Sequence, residues 1–210
     1  ILFENTKVRG SIKVIKFGEE NNPLEGAEFT IYNKSDINFK NPLETKTTDA
    51  NGQLVFENYE YGDYVVRETK APEGYNLEGI ENALSKDVSI TENLKVYKLE
   101  YSNTKIRASV KVLKVGEDND PLEGAVFAIY AKADEKFENP LQTKTTDASG
   151  EVKFENLEYG DYVVRETKAP EGYNLEGVDG PLSKEVLVRE NGKVYEVKYS
   201  NTKIRGDIKV

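Results

Sequence analysis

The stretch YVVRETKAPEGYNLEG runs from Tyr64 to Gly79 and recurs unchanged from Tyr162 to Gly177. Successive side chains of a β-strand point to opposite faces, so this stretch places Glu68 in phase with the apolar residues that precede it. The pattern therefore predicts an inward carboxylate at Glu68, and at Glu166 in the second copy. A buried carboxylate is unfavourable unless partners satisfy it, which makes the surrounding residues the central question.

The composition excludes several classes of protein. The chain of 210 residues has 29 basic and 38 acidic side chains, whereas a nucleic-acid binder needs a basic face. No apolar run is long enough for a transmembrane helix. Without Cys or His, the chain has no disulfides, no thiolate or imidazole metal ligands and no catalysis by those side chains. We expect no cofactor, no metal, no membrane contact and no conventional enzyme.

An internal repeat organises the chain. The segment from Val8 to Ile106 aligns with the segment from Ile106 to Ile204 without an insertion, which predicts repeats at 8–105 and 106–204. The opening residues resemble the end of each repeat. We therefore expect residues 1–7 to be the last strand of a preceding repeat and residues 205–210 to begin a following one. Neighbouring repeats of the same chain are the expected partners.

Each repeat has the pattern of an all-β domain. Short runs rich in Val, Ile, Tyr, Phe and Thr alternate with turn clusters such as TTDANGQ and KAPEGYN, and no stretch has a helical period. Strands of this length must bury one face, so the pattern predicts tandem antiparallel β-sandwiches with an immunoglobulin-like arrangement. In the first repeat the predicted strands lie near residues 10–17, 27–32, 43–47, 53–57, 63–69, 85–90 and 95–104.

Strand phase brings two more polar residues into question. The last strand, VYKLEYSN from Val96, alternates its aromatic and aliphatic side chains onto one face, and Asn103 follows in phase. The first strand, IKVIKF from Ile12, is ambiguous, because one face ends at Lys16 and the other contains Lys13. If the face of Ile12 is inward, each repeat buries a lysine, a glutamate and an asparagine.

Three motifs in order, IKVIKFGEENNPLEGAEFTIY, YVVRETKAPEGY and YSNTK, resemble the Cna protein B-type (CnaB) domain. This prealbumin-like repeat occurs in surface adhesins and pilins of Gram-positive bacteria, and the resemblance covers both repeats. It implies an intramolecular isopeptide bond between a first-strand lysine and a last-strand asparagine, promoted by a buried acid. Carried over by motif, the triads are Lys16, Glu68 and Asn103 in the first repeat and Lys114, Glu166 and Asn201 in the second. By the same resemblance, Asn5 matches the acceptor of a preceding repeat.

The implied reaction needs a neutral amine and an acid. Burial lowers the pKa of a lysine and raises that of a glutamate, so Glu68 could be protonated, hydrogen-bond the carboxamide oxygen of Asn103 and pass a proton to the leaving ammonia. The cross-link would form once, without turnover. The alternative is that Lys16 extends along the sandwich edge to solvent, with Glu68 as an ordinary salt-bridge partner and Asn103 as a turn residue.

Three functions follow from these observations. The first is a monomeric stalk of cross-linked repeats, anchored to the cell wall of a Gram-positive bacterium and exposed outside the cell. The second is an adhesive module that binds a host extracellular-matrix ligand, and the third is a pilin shaft subunit. The short segment TKIRASVKVL between repeats contains no flexible linker, which favours the stalk.

Overall fold

The computed structural model describes residues 6–77, 84–175 and 182–208. The chain divides into two compact units, Ile1–Lys105 and Ile106–Val210. Every regular element in the described residues is a β-strand. Unit 1 contains β1 (Arg9–Phe17), β2 (Glu28–Asn33), β3 (Glu44–Thr47), β4 (Gln53–Glu60), β5 (Gly62–Lys70), β6 (Ser85–Ile90) and β7 (Val96–Ser102). Unit 2 contains β8 (Arg107–Val115), β9 (Val126–Ala131), β10 (Gln142–Thr145), β11 (Glu151–Glu158), β12 (Gly160–Lys168), β13 (Ser183–Val188) and β14 (Val194–Ser200).

Each unit is a sandwich of two sheets. In unit 1 a sheet of order β4-β1-β7 faces a sheet of order β3-β2-β5-β6, and unit 2 repeats this arrangement with β11-β8-β14 and β10-β9-β12-β13. The predicted all-β fold with tandem prealbumin-like sandwiches is confirmed.

One pair of strands in each unit departs from the expected antiparallel pattern. The first and last strands of each unit pair in parallel, β1 with β7 and β8 with β14. All other strand pairs in the described part of the chain are antiparallel. A parallel pair needs a long crossover between its strands, and here the intervening strands of the unit supply it. The first and last strands of each unit thus lie side by side and run in the same direction.

The predicted strands agree with the observed ones to within one residue at each end, with two exceptions: β7 ends at Ser102, two residues before the predicted end, and β4 continues past residue 57 to Glu60. Asn58 has a positive φ of 61°, and the register with β1 shifts between Gly10 and Ile12. Such a bulge interrupts the ladder and lets pairing resume beyond it, as Tyr59 does opposite Gly10.

The core of each unit lies between its two sheets. In unit 1 the fully buried side chains include Ile12, Val14, Phe29, Phe56 and Val66, which come from both sheets. Unit 2 has the corresponding cluster around Val110, Val112, Phe127, Phe154 and Val164. Residues 6–77, 84–175 and 182–208 form no helix long and apolar enough to cross a lipid bilayer.

Candidate functional site

Three polar side chains meet inside each sandwich. In unit 1 Lys16, Glu68 and Asn103 are at most 2% exposed. The structure thus brings together the three residues that the sequence motifs single out, and it does the same in unit 2 with Lys114, Glu166 and Asn201. The amine of Lys16 does not reach solvent, which is the opposite of the edge arrangement considered above.

The first strand places Lys16 inside because Lys16 lies on the face of β1 that meets the core. Ile12 and Val14 are fully buried, and Lys16 follows them in phase on the same face. Both backbone groups of Lys16 are hydrogen-bonded: Lys16 N–H donates to Gly52 O over 2.7 Å and Leu24 N–H donates to Lys16 O over 3.1 Å. The ambiguity in the sequence is therefore resolved in favour of Lys16 over Lys13.

Gly52 makes the close approach to this backbone possible. It adopts a positive φ of 68°, and a Cβ at this position would collide with the carbonyl oxygen of Lys16. Gly150 occupies the corresponding place beside Lys114, with a φ of 71°. Only glycine accommodates this conformation and this contact without strain.

The asparagine of the triad lies just beyond the last strand. In the parallel ladder Lys16 is the partner of Tyr101, and the ladder ends at Phe17 and Ser102. Asn103 then continues the pairing, because its N–H donates to Phe17 O over 3.2 Å. The lysine near the end of β1 and the asparagine at the end of β7 are thereby brought to the same end of one strand pair.

The three side chains form a closed set of contacts. Lys16 Nζ donates to Glu68 Oε2 over 2.8 Å, and Asn103 Nδ2 donates to Glu68 Oε1 over 2.8 Å. Lys16 Nζ also contacts Asn103 Oδ1, the oxygen on the carbon that the amine would attack. In unit 2 the corresponding distances to Glu166 are 2.9 Å and 2.8 Å, with the same contact between Lys114 and Asn201.

One detail differs from the expected hydrogen bonding. The sequence argument paired Glu68 with the carboxamide oxygen of Asn103, but the structure places Glu68 on the carboxamide nitrogen. The oxygen faces the lysine instead, because a carboxylate oxygen accepts from the NH₂ group and the amine donates to the carbonyl. Glu68 therefore contacts both the attacking nitrogen and the nitrogen that would leave.

Burial perturbs the ionisation of both charged groups in opposite directions. It lowers the pKa of Lys16, and its hydrogen bond and ion pair with Glu68 oppose that change only in part. Burial also raises the pKa of Glu68, again against the effect of its partners. Lys114 and Glu166 are shifted in the same directions for the same reason. A neutral amine beside a protonated acid is therefore more accessible here than in water.

The strand partner of Lys16, Tyr101, is itself buried in the core. Tyr101 is 1% exposed, its ring lies 4.7 Å from that of Phe29, and its hydroxyl donates to Val66 O over 2.7 Å. Tyr199 repeats the arrangement in unit 2. The sequence argument placed Tyr101 on the inner face without assigning it this position beside the lysine.

A turn holds the chain where it leaves the last strand. Asn76 N–H donates to Thr104 O over 2.8 Å, and Tyr75 forms an antiparallel bridge with Lys105. The corresponding contacts recur in unit 2. The KAPEGYN motif therefore packs against the residues that directly follow Asn103, a contact that no local sequence signal predicted.

Two remaining expectations concern residues outside this site. Asn5 lies outside the described residues. Within residues 6–77, 84–175 and 182–208, no group of acidic side chains has an arrangement that could hold a metal ion.

Comparisons with known proteins match both units. The family model described as "SpaA: Prealbumin-like fold domain" matches residues 10–105 and 108–203. Serine-aspartate repeat-containing protein F of Staphylococcus epidermidis is 32% identical over 165 residues, which are 71% of this chain and 9% of that protein. Serine-aspartate repeat-containing protein D of Staphylococcus aureus strain Newman is 31% identical over 155 residues, which are 64% of this chain and 12% of that protein. The chain thus spans only a small part of these relatives.

Solved structures show the same fold. The Bacillus anthracis TIE protein superposes with a TM-score of 0.77 at 27% identity, covering 94% of this chain and 34% of that one. A C-terminal fragment of the pilus adhesin SpaC from Lactobacillus rhamnosus GG superposes with a TM-score of 0.56 at 16% identity, covering 97% of this chain and 100% of the fragment. The second likeness concerns the fold alone.

Proposed function

Because the chain belongs to the family of SpaA prealbumin-like fold domains, we propose that it supplies stalk repeats of a surface adhesin. The parent protein is anchored to the cell wall of a Gram-positive bacterium and lies outside the cell. Each repeat is a monomeric, non-enzymatic spacer, stabilised by an isopeptide bond that it forms by itself between Lys16 and Asn103, or between Lys114 and Asn201. Its partners are the neighbouring repeats.

The observation that carries this proposal is the buried triad, present in both units. A lysine, a glutamate and an asparagine removed from solvent are an unfavourable set unless they satisfy one another. Here the amine touches the carboxamide and the glutamate contacts both nitrogen atoms. This is the arrangement that an amide exchange between the two side chains requires.

The reaction follows from the contacts. Neutral Lys16 Nζ attacks Asn103 Cγ, the Nζ–Cγ bond forms, the Cγ–Nδ2 bond breaks and ammonia leaves. Glu68 takes a proton from the attacking nitrogen through Oε2 and gives a proton to Nδ2 through Oε1, so it ends in the state in which it began. The fold contributes by holding the reacting groups in contact, which can be equivalent to an effective concentration of about 10⁵ M or more.

The parallel pairing of β1 and β7 gives the bond a mechanical role. A force that enters through the start of β1 and leaves after Asn103 crosses directly from Lys16 to Asn103. The bond spans a sequence separation of 87 residues. That segment, which could extend by about 300 Å at about 3.3 to 3.6 Å per residue, is removed from the path of the force. A stalk built from such units resists extension and proteolysis.

Intact-mass measurement of the purified chain tests the cross-link. Two bonds predict the loss of two ammonia molecules, and peptide mapping should find a branched peptide joining Lys16 to Asn103. The variants Glu68→Ala and Glu166→Ala should each lose only one ammonia, from the unit that keeps its glutamate. A wild-type chain of unmodified mass would reject the proposed bond.

A binding assay separates the spacer from an adhesive module. The stalk proposal expects no saturable binding of this two-unit chain to host matrix proteins such as collagen. Specific, saturable binding would show that these repeats themselves carry an adhesive function.

A further inference from the structure

A second lysine lies at the open side of each sandwich and has no part in the reaction described above. In unit 1 it is Lys86 on β6, which shares the inward face of that strand with Val88 and Ile90. β6 and β7 are the edge strands of the two sheets on this side. Lys86 is therefore placed at the boundary between the core and solvent, close to the buried triad.

The ammonium group of Lys86 is held in a fixed position. Its Nζ donates to Glu100 O on β7 over 2.6 Å and lies 5.1 Å from the ring centroid of Tyr101. That ring belongs to the residue paired with Lys16 in the parallel ladder. The positive charge of Lys86 is thus held against the side chain of the strand partner of Lys16.

The same arrangement recurs in unit 2. Lys184 Nζ donates to Lys198 O over 2.5 Å and lies 5.0 Å from the ring centroid of Tyr199. Lys184 also lines a cleft of about 460 Å³ whose wall includes the acceptor Asn201. The lysine and the acceptor side of the triad therefore share one cleft.

We propose that Lys86 and Lys184 are positioning residues of the cross-linking reaction: each fixes a second positive charge beside the triad, which favours the neutral, nucleophilic form of the buried lysine. This inference rests on the proposed isopeptide bond. A cation next to a lysine is an established physical means of activating it, because two like charges at short distance are unfavourable.

Several other ionisable groups lie near this site in the part of the chain that the structure describes. Glu68 on β5 and Lys86 are the two charged groups that act on Lys16, and the charge of Lys86 lowers the pKa of Lys16. Tyr101 on β7 remains neutral near neutral pH, because burial raises the pKa of its hydroxyl. Asp87 pairs with Lys34 over 2.8 Å, and Glu19 after β1 accepts from Lys105 N–H over 3.0 Å. In unit 2, Glu117 and Lys198 line the cleft beside Lys184. From β4, the side chains on the inner face are the apolar Leu54 and Phe56.

The test measures the pH dependence of bond formation in each unit. Full-length chains are made by cell-free synthesis and quenched in denaturant, and the unreacted fraction is diluted into folding buffers on both sides of neutral pH. The loss of ammonia is then followed separately in each unit by peptide mass spectrometry. Two variants separate charge from hydrogen bonding: Lys86→Gln keeps a donor without the charge, and Lys86→Arg keeps both.

In Lys86→Gln, we expect the rise of the reaction rate with pH in unit 1 to move to higher pH by about one pH unit. The reaction near neutral pH should then be about 10-fold slower. Lys86→Arg should retain the wild-type profile. Unit 2 of the same molecule is the internal control. Lys98→Gln, which removes an equal charge from the outer face of β7, is the matched control and should leave the profile unchanged.

Two results would overturn the inference. One is a wild-type profile in Lys86→Gln, and the other is an equal shift in Lys98→Gln, which would mean that only net charge matters. A wild-type chain that loses no ammonia would instead refute the proposed bond, and this inference with it, before any variant is measured. The two failures are therefore distinguishable.

Discussion

Removal of the amine of Lys16 gives the sharpest test of what the proposed cross-link contributes to stability. The variant Lys16→Met keeps a long apolar side chain in the buried position but cannot form the bond. Glu68 then retains the hydrogen bond from Asn103 Nδ2, and burial keeps it protonated more readily than in water. The principal loss is therefore the covalent closure of the unfolded chain.

The magnitude follows from the length of the closed segment. Lys16 and Asn103 are separated by 87 residues, and closing a loop of that length lowers the entropy of the unfolded chain by an amount worth about 4 to 5 kcal/mol near 25 °C. For a unit of this size, that corresponds to a fall of about 20 to 35 °C in melting temperature. Unit 2 should keep its own transition.

Calorimetry of the whole chain measures the effect. We expect the Lys16→Met chain to show two separate transitions, with unit 1 melting first, and intact mass should show the loss of one ammonia rather than two. Lys13→Met, on the opposite face of β1, is the matched control and should leave both transitions in place. Coincident transitions in Lys16→Met, at the wild-type temperature, would refute the reasoning.

Three further predictions concern force, pH and backbone geometry. In single-molecule stretching, unit 1 of the wild-type chain should not release the segment between Lys16 and Asn103, whereas Lys16→Met should release about 300 Å. In Lys16→Met, burial raises the pKa of Glu68 in the folded state, so the folded state keeps a proton on Glu68 above about pH 4.3, where the unfolded state loses it. The free energy of unfolding of unit 1 should therefore fall as pH rises through that value. Denaturant titrations against the double variant Lys16→Met, Glu68→Gln would measure this. Gly52→Ala should destabilise unit 1 by about 1 to 3 kcal/mol and slow ammonia loss there, because a Cβ collides with Lys16 O at a positive φ.

Each of these three has an opposing outcome. Release of the long segment by the wild-type chain would show that the bond does not carry the force. A stability of Lys16→Met that rises with pH, relative to the double variant, would contradict a raised pKa for Glu68. Wild-type stability in Gly52→Ala would show that the backbone beside Lys16 can move away without loss.

The local pattern was sufficient to predict most of the fold. Alternation of apolar and polar residues predicted the strand positions, because each strand must bury one face. The internal repeat predicted the number of units. The extension of β4 to Glu60 was not predicted, since it depends on a bulge at Asn58 that forms only against β1. The inward phase of Glu68 was predicted from alternation alone, and the structure places it there.

The candidate site was less accessible to sequence reasoning. Motif resemblance singled out Lys16 and Asn103, but alternation left the inner face of β1 open, because a lysine lies on either side. The contacts of Tyr101, Asn76 and Lys86 with the site join residues that are distant along the chain. Such contacts leave no local periodicity, so no pattern in the sequence could have indicated them.

By itself, the sequence determined a duplicated all-β chain, without thiols or imidazoles, that carries one inward glutamate in each unit. The tertiary structure decided which lysine is buried, that β1 and β7 run in parallel, and that Glu68 contacts the nitrogen of Asn103. The physical reason is that strand alternation fixes only the two faces of a strand. Which face meets the core, and which strands become neighbours, depends on the packing of two sheets whose residues are far apart along the chain.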